Sequence, residues 1–242
     1  MEIFWTSQKG KQRKRNNDAV AIGYFKETLV AVIVDAAEPK RNTISGVDKK
    51  GKFLSIHWAD TCLVEILKSI DSLTEKTLIG ILHKKQKELR HHFLFETACY
   101  GIMIMDTMTG EIQWYYTGDC RLGIQKNKGE PEWLDTPHRI DNLPIFNDFH
   151  HGEKDHIYRS LNSRRFFAPE IIKTTLNKKN QNTVILATDG YWHEHLEKKQ
   201  PLYMTDDDAS FLVINHGSIN NQIKTDAPNF FVAYHLRTTP IT

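Results

Sequence analysis

The chain has 242 residues, 40% of them hydrophobic and 26% charged, with 32 Lys and Arg against 30 Asp and Glu. This is an ordinary globular composition, and its near-neutral balance excludes a surface that binds polyanions throughout. The longest apolar run, "LVAVIVDAA" over 29–37, is too short to span a bilayer and carries Asp35, and the opening "MEIFWTSQKGK" lacks the apolar stretch of a signal peptide, so no membrane partner is expected.

The first feature along the chain is basic. Lys9, Lys11, Arg13, Lys14 and Arg15 fall within seven residues, and the run stops on Asn16, Asn17 and Asp18. Such a run is commonly a solvated loop. The alternatives are a nucleic-acid patch, or one wall of a site that holds a phosphate beside a metal. Two segments rich in β-branched and aliphatic residues follow, Ala19–Tyr24 and Thr28–Val34, and read as buried strands. The polar stretch Glu38–Lys52 reads as a long surface loop. Trp58, Cys62, Ile66, Leu67 and Ile70 recur at helical spacing and predict a helix over Trp58–Ile70, and Leu78, Ile81, Leu82 and Leu89 continue the pattern in a second. Ala98–Met105 and Ile112–Tyr116, joined by the turn chemistry of "DTMTGE", predict a hairpin. Thr183–Ala187 reads as a buried strand, with Ser210–Ile214 and Phe230–Leu236 as further ones. Strands come in groups with a helical pair between them, which favours an α+β fold of antiparallel sheets covered by helices over a doubly wound parallel sheet. Cys62, Cys99 and Cys120 are odd in number and widely spaced, and read as reduced, buried thiols of a cytoplasmic protein.

The aspartates carry more information than the strands. "LVAVIVD" runs a buried strand into Asp35, "VILATD" into Asp189, and "WYYTGD" into Asp119, while Asp206, Asp207 and Asp208 stand immediately before "ASFLVI". Strand ends of this kind bring carboxylates to a common rim, where they repel one another unless something neutralises them. Lys or Arg partners do so in a structural arrangement. Hard divalent cations with oxygen ligands, Mg²⁺ or Mn²⁺, do so in a functional one. Two such ions can activate a water toward phosphorus, and an arginine fork can hold the phosphate oxygens. Arg13 and Asp18 lie just ahead of a strand, which makes the basic run a candidate for that wall.

These residues resemble the metal-dependent PP2C (PPM) family of Ser/Thr protein phosphatases. "RKRNNDA" (Arg13–Ala19) is similar to that family's R-x-x-N-E-D-A, "VIVDAA" to its V-x-D-G, and "TGDCR" (Thr117–Arg121) to its G-D-S-R. "LATDGYW" (Leu186–Trp192) resembles S-D-G-L-W, and "DDAS" (Asp207–Ser210) resembles D-N-x-T. Each motif alone is weak; all of them in the family's order, each in its strand context, are specific. The resemblance implies an α-β-β-α sandwich, two central antiparallel β-sheets flanked by helix pairs, in a single domain over residues 1–242, strongest over 10–214. It implies that Asp35 bridges two Mn²⁺ or Mg²⁺ ions, that Asp189 and Asp207 hold the first, and that Ala36 contributes its backbone carbonyl. By the same resemblance Asn17 serves the second ion through water, Asp119 serves a weaker third, Asp18 orients metal-bound water, and Arg13 clamps the substrate phosphate. Lys9, Lys11, Lys14 and Arg15 are then expected to face water.

Several positions depart from the family pattern. Asn17 stands where Glu or Gln is usual, Ala36 replaces a glycine, and Ala37 stands where some members place a general-acid histidine. "EPKRNTISG" replaces a glycine-rich continuation, and the short interval from Asp189 to Asp207 implies trimmed helices; Asp226 is the alternative final ligand. Other motifs are set aside. "GVDKKGKF" has Phe53 where a P-loop needs Ser or Thr, and no cysteine is followed six residues on by Arg. "HEH" and "HHGEKDH" lack partners at zinc spacing, and Trp192 reads as core. The reading that results is a phosphoprotein phosphatase, with a phosphorylated protein and its Ser/Thr kinase as partners. A phosphatase-like binding module is its main rival, and nucleic-acid binding through Lys9–Arg15 lacks aromatic interleaving.

Overall fold

The computed structural model describes residues 1–38, 46–126, 129–143, 156–176, 182–215 and 220–234. The strands are β1 (Glu2–Gln8), β2 (Asp18–Phe25), β3 (Thr28–Ala36), β4 (Thr97–Asp106), β5 (Glu111–Thr117), β6 (Arg121–Gln125), β7 (Glu132–Trp133), β8 (Leu161–Asn162), β9 (Glu170–Thr175), β10 (Thr183–Ala187), β11 (Ala209–Asn215), β12 (Asn220–Thr225) and β13 (Phe230–Tyr234). They form a six-stranded sheet in the order β12-β1-β11-β10-β6-β7 and a seven-stranded sheet, β13-β2-β3-β4-β5-β9, with β8 beside β4. Pairing is antiparallel except at one edge of each sheet, where β12 runs parallel to β1 and β13 parallel to β2.

The apolar runs of β2 and β3 do not alternate with polar residues because both faces are buried. Val20, Ile22, Leu29, Ala31 and Ile33 point between the sheets, where they meet Ile3, Trp5, Trp114, Leu122, Leu186 and Leu212. Ala19, Ala21, Val30, Val32 and Val34 point outward and are covered by α1 (Leu54–Ser69) and α2 (Glu75–Glu88) through Trp58, Cys62, Leu63, Ile66, Leu78 and Leu82. The other outer face carries a smaller cluster, Ile185, Ala187 and Trp192, under the π-helical segment Gly190–Glu197. The α+β sandwich is the expected one. The covering helices are unequal: a pair on one sheet and, among the described residues, a single short segment after Asp189 on the other.

The predicted hairpin is β4–β5, turned by Asp106, whose Oδ1 accepts from the Met108 and Thr109 amides at 2.7 Å each. Both predicted helices form; α1 begins earlier than expected, at Leu54, and Leu89 falls in a 3₁₀ turn after α2. The predicted C-terminal strand is β13, with residues 235 and 236 outside the described set. The expected Glu38–Lys52 loop lies partly outside it, at 39–45. The three cysteines are buried and free. Among the described residues no helix is long and apolar enough to cross a membrane.

At one end of the sandwich the sheets are joined by Asn229. Its side chain accepts from Trp5 Nε1 at 3.1 Å and donates to Ser7 Oγ at 2.8 Å and to the Asp18 carbonyl at 3.0 Å. The acids described next lie at this end.

Candidate active site

Asp18 and Asp35 are direct register partners on the antiparallel pair β2–β3. Residues opposite one another share a face, and both continue the rows that point between the sheets. Asp189 follows β10 and opens the π-helical segment. Asp207 and Asp208 lead into β11, which pairs with β10. Asp119 lies where the chain crosses from β5 in one sheet to β6 in the other. Gly118 before it has φ +100°, and a Cβ there would collide with the Cys99 side chain, so glycine is required at this crossing. Gly190 is required for a different reason: its backbone lies against the Asp208 backbone, with no room for a Cβ.

The acids repel one another in a dry setting. Burial pushes the Asp35 carboxyl well above the ordinary range, and Asp18, Asp189, Asp207 and Asp119 push it further. Asp18 is raised by burial and then by Asp208 and Asp207, and Asp189 by burial and then by Asp119 and Asp207. Asp18 keeps one oxygen engaged, with Thr188 Oγ1 donating to Oδ2 at 3.0 Å. Asp208 is buried and raised to about 6, mainly by burial, although it accepts from the Gly10 and Asn17 amides at 2.9 and 2.7 Å.

Two guanidinium groups reach this cluster. Arg13 forks onto Asp207, with Nε donating to Oδ1 at 2.6 Å and Nη2 donating to Oδ2. Arg139, buried at 2% exposure, donates from Nε to Asp119 Oδ2 at 3.0 Å and from Nη2 to Asp189 Oδ2 at 2.8 Å. Arg139 also lines a cavity of about 240 Å³ with Arg121, Asp135, Trp192 and His193.

The structure thus brings Asp18, Asp35, Asp189, Asp207 and Asp119 together with Arg13. Ala36 follows Asp35 as the last residue of β3. Asn17 is placed differently: it is buried, and the Oδ1 it would offer a cation accepts from Arg15 Nε at 2.6 Å. Asp226, the alternative ligand, is exposed and holds the base of the basic loop through the Lys9 amide at 2.7 Å and Asn16 Nδ2 at 2.9 Å. The basic run divides otherwise than expected. Lys11 and Lys14 face water, but Lys9 Nζ donates to the Arg13 carbonyl at 2.8 Å, and Arg15 stacks over Phe53 at 3.5 Å. Amides of this loop bond to the Thr205 and Asp206 carbonyls at 3.0 and 3.2 Å, which seats Arg13 beside Asp207. Trp192 is core, as expected, yet its Nε1 also donates to the Asp119 carbonyl at 2.9 Å. His193 and His195 bond to Glu197 and to the Gln200 carbonyl. Most of "HHGEKDH" lies outside the described residues.

Arg139, Thr188 and Asp208 carry site contacts that sequence reasoning missed. Asp208 was visible as one of three adjacent acids. Arg139 had no local signal, because its partners are 20 and 50 residues away.

No family model and no curated protein matches the chain. Solved structures do. A bacterial serine phosphatase superposes with a TM-score of 0.66 at 16% identity, covering 90% of this chain and 98% of its own. The serine/threonine phosphatase Stp1 from Staphylococcus aureus gives 0.66 at 15%, covering 89% and 95%. RsbX in complex with magnesium gives 0.54 at 13%, covering 87% and 92%. The chain has the PP2C-type phosphatase fold.

Within that fold, the donor set at the rim suits a hard divalent cation. It is all oxygen, and Asp18 Oδ1 and Asp189 Oδ1 are buried without a hydrogen-bond partner. Among the described residues no three acidic, histidine or cysteine side chains stand at metal-binding geometry. The guanidinium groups on Asp207, Asp119 and Asp189 supply the compensating charge instead.

Proposed function

We propose that the chain is a metal-dependent phosphatase acting on phosphoserine and phosphothreonine in proteins. The observation that carries this reading is the meeting of Asp18, Asp35, Asp189 and Asp207, from separate strand ends of two sheets, beside the Arg13 guanidinium. Asp35, Asp189 and Asp207, with the Ala36 carbonyl, are the residues that would hold two Mn²⁺ or Mg²⁺ ions. Those ions supply charge to the phosphate oxygens and a water of lowered pKa. Arg13 leaves Asp207 for the substrate, its planar fork matching two non-bridging oxygens. Asp18 stays anchored by Thr188 through one oxygen and presents the other to take a proton from the attacking water. Ala37 offers no acid to the leaving group, so solvent protonates it. Asp18 and Asp35, on the ends of β2 and β3, are held more rigidly than loop residues would be.

The reading carries with it a phosphoprotein substrate, a cognate Ser/Thr kinase and a cytoplasmic setting. It takes residues 1–242 as one phosphatase domain, supported by the pairing of β12 with β1 and β13 with β2.

The test is turnover of a phosphoserine peptide and an aryl phosphate, with Mn²⁺ and with chelator, by the parent and by Asp35→Asn. Mn²⁺-dependent turnover that Asp35→Asn abolishes is the expected result. A second reading, a phosphopeptide-binding module with little turnover, is favoured by the guanidinium groups that hold Asp207, Asp119 and Asp189. Phosphopeptide binding without hydrolysis, indifferent to chelator, would establish it instead.

A further inference from the structure

We propose that Arg139 is a built-in cation, holding Asp119 and Asp189 where a third metal ion would otherwise be needed. The inference deepens the phosphatase reading and rests on it for the first two ions, but not for the assignment of this third position.

Asp119 is 1% exposed, and a carboxylate so buried requires a counter-charge. The Arg139 guanidinium supplies it with both Nε and Nη2, each 3.0 Å from Asp119 Oδ2, while Nη2 also reaches Asp189 Oδ2 at 2.8 Å. One planar group thus spans two acids, one from the β5–β6 crossing between the sheets and one from the end of β10. A divalent ion inserted there would face the guanidinium at contact range, and charge repulsion would oppose it.

The arginine is mounted rather than merely nearby. Its guanidinium carbon lies 4.6 Å from the centroid of the Trp192 ring, and that indole donates to the Asp119 carbonyl at 2.9 Å. The preceding residue locks the segment onto the Asp119 turn: the His138 amide donates to the Gly118 carbonyl at 2.9 Å, and the Gly118 amide donates to His138 Nδ1 at 2.9 Å. Arg139 itself forms an antiparallel bridge with Ile157. Backbone and ring together fix where the positive charge sits, so Asp119 works as an anchor for Arg139 and through it positions Asp189.

The experiment counts bound Mn²⁺ by calorimetric titration and by metal analysis after dialysis. Arg139→Met keeps the stem against Trp192 and removes the charge. It is expected to take up one more Mn²⁺ per chain than the parent, and Asp119→Asn added to it should abolish the gain. Arg139→Lys should bind the parental number. In the otherwise intact chain, Asp119→Asn should leave the count unchanged while lowering the melting temperature, which keeps the test in hand if Arg139→Met does not fold. Equal counts in the parent and Arg139→Met, or loss of an ion in Asp119→Asn alone, would overturn the proposal. A parent that binds no Mn²⁺ would defeat the phosphatase reading; a single ion gained by Arg139→Met would still support this one.

Discussion

Arg13→Ala should move two measurements in opposite directions. In the structure the Arg13 fork occupies both oxygens of Asp207, the residue proposed to hold the first cation, so a metal must displace it. The pair is about three-quarters buried, with side-chain exposures of 27% and 24%. Hydrogen bonds to charged groups are worth about 1.5–3 kcal/mol, and partial exposure reduces that. A net competition of about 1.4 kcal/mol is a reasonable centre, so removing Arg13 should tighten Mn²⁺ binding roughly 10-fold. Catalysis should fall at the same time, because the variant loses the phosphate clamp. Loss of one preorganised donor costs on the order of 3 kcal/mol of transition-state stabilisation, which is more than 100-fold in kcat/KM. Calorimetric titration with Mn²⁺ and steady-state kinetics on a phosphopeptide, run on the same preparation, measure both. Lys14→Ala is the control, since that side chain faces water and its backbone amide, which the substitution keeps, donates to Glu38 at 3.0 Å. If affinity and activity fall together in Arg13→Ala, the residue is a structural support of the loop and the competition argument is wrong.

Asp35→Asn removes a buried like charge, so in chelator it should melt above the parent while losing Mn²⁺ binding; unchanged binding would remove Asp35 from the site. Gly190→Ala places a Cβ 2.8 Å from the Asp208 carbonyl carbon and 3.0 Å from Ala209 Cα, both backbone atoms that cannot yield. It should cost about 1–3 kcal/mol and lower the melting temperature by several degrees, and a thermal melt indistinguishable from the parent refutes this. The metal-free fold should also lose stability as pH rises. Asp208 titrates at about 6 in the fold against an ordinary 3.8, so the folded form binds its proton more tightly than the unfolded chain does. Its contribution is complete below about pH 4 and is lost by about pH 6, a difference of about 3 kcal/mol. Melts in chelator should therefore fall between about pH 4 and 6, and a rise across that range would contradict the assignment.

The sandwich was legible where burial is two-sided. β2 and β3 have an apolar residue at nearly every position because each face meets a different core, and such runs read as strands without ambiguity. Two edge strands escaped for the opposite reason, whereas the edge strand β13, with its aromatic and aliphatic run, was read. β12, "NNQIKT", and β9, "EIIKTT", have only one neighbour and little to bury, so polar residues serve them as well as apolar ones. β1 was hidden by brevity, since only Ile3, Trp5 and Ser7 face inward. At the site, Asp35 and Asp189 were readable because each closes a strand and inherits its direction. Arg139 was not, because a polar segment gives no sign of which acids it will lie against until the sheets are stacked.

The rivet at Asn229 has a consequence for the order of assembly. Its partners are Trp5 and Ser7, more than 220 residues earlier in the chain, and β12 and β13 pair with the two earliest strands. Contacts of such sequence separation close the largest possible loops and are slow to form, so the sandwich should fold on the millisecond-to-second scale of high-contact-order domains. A ribosome releasing the chain from its N-terminus exposes Asp18 and Asp35 long before Asn229 emerges to fix the Asp18 backbone. The acid rim is therefore late to take shape, and a nascent chain stays without a formed site until Asn229 has emerged.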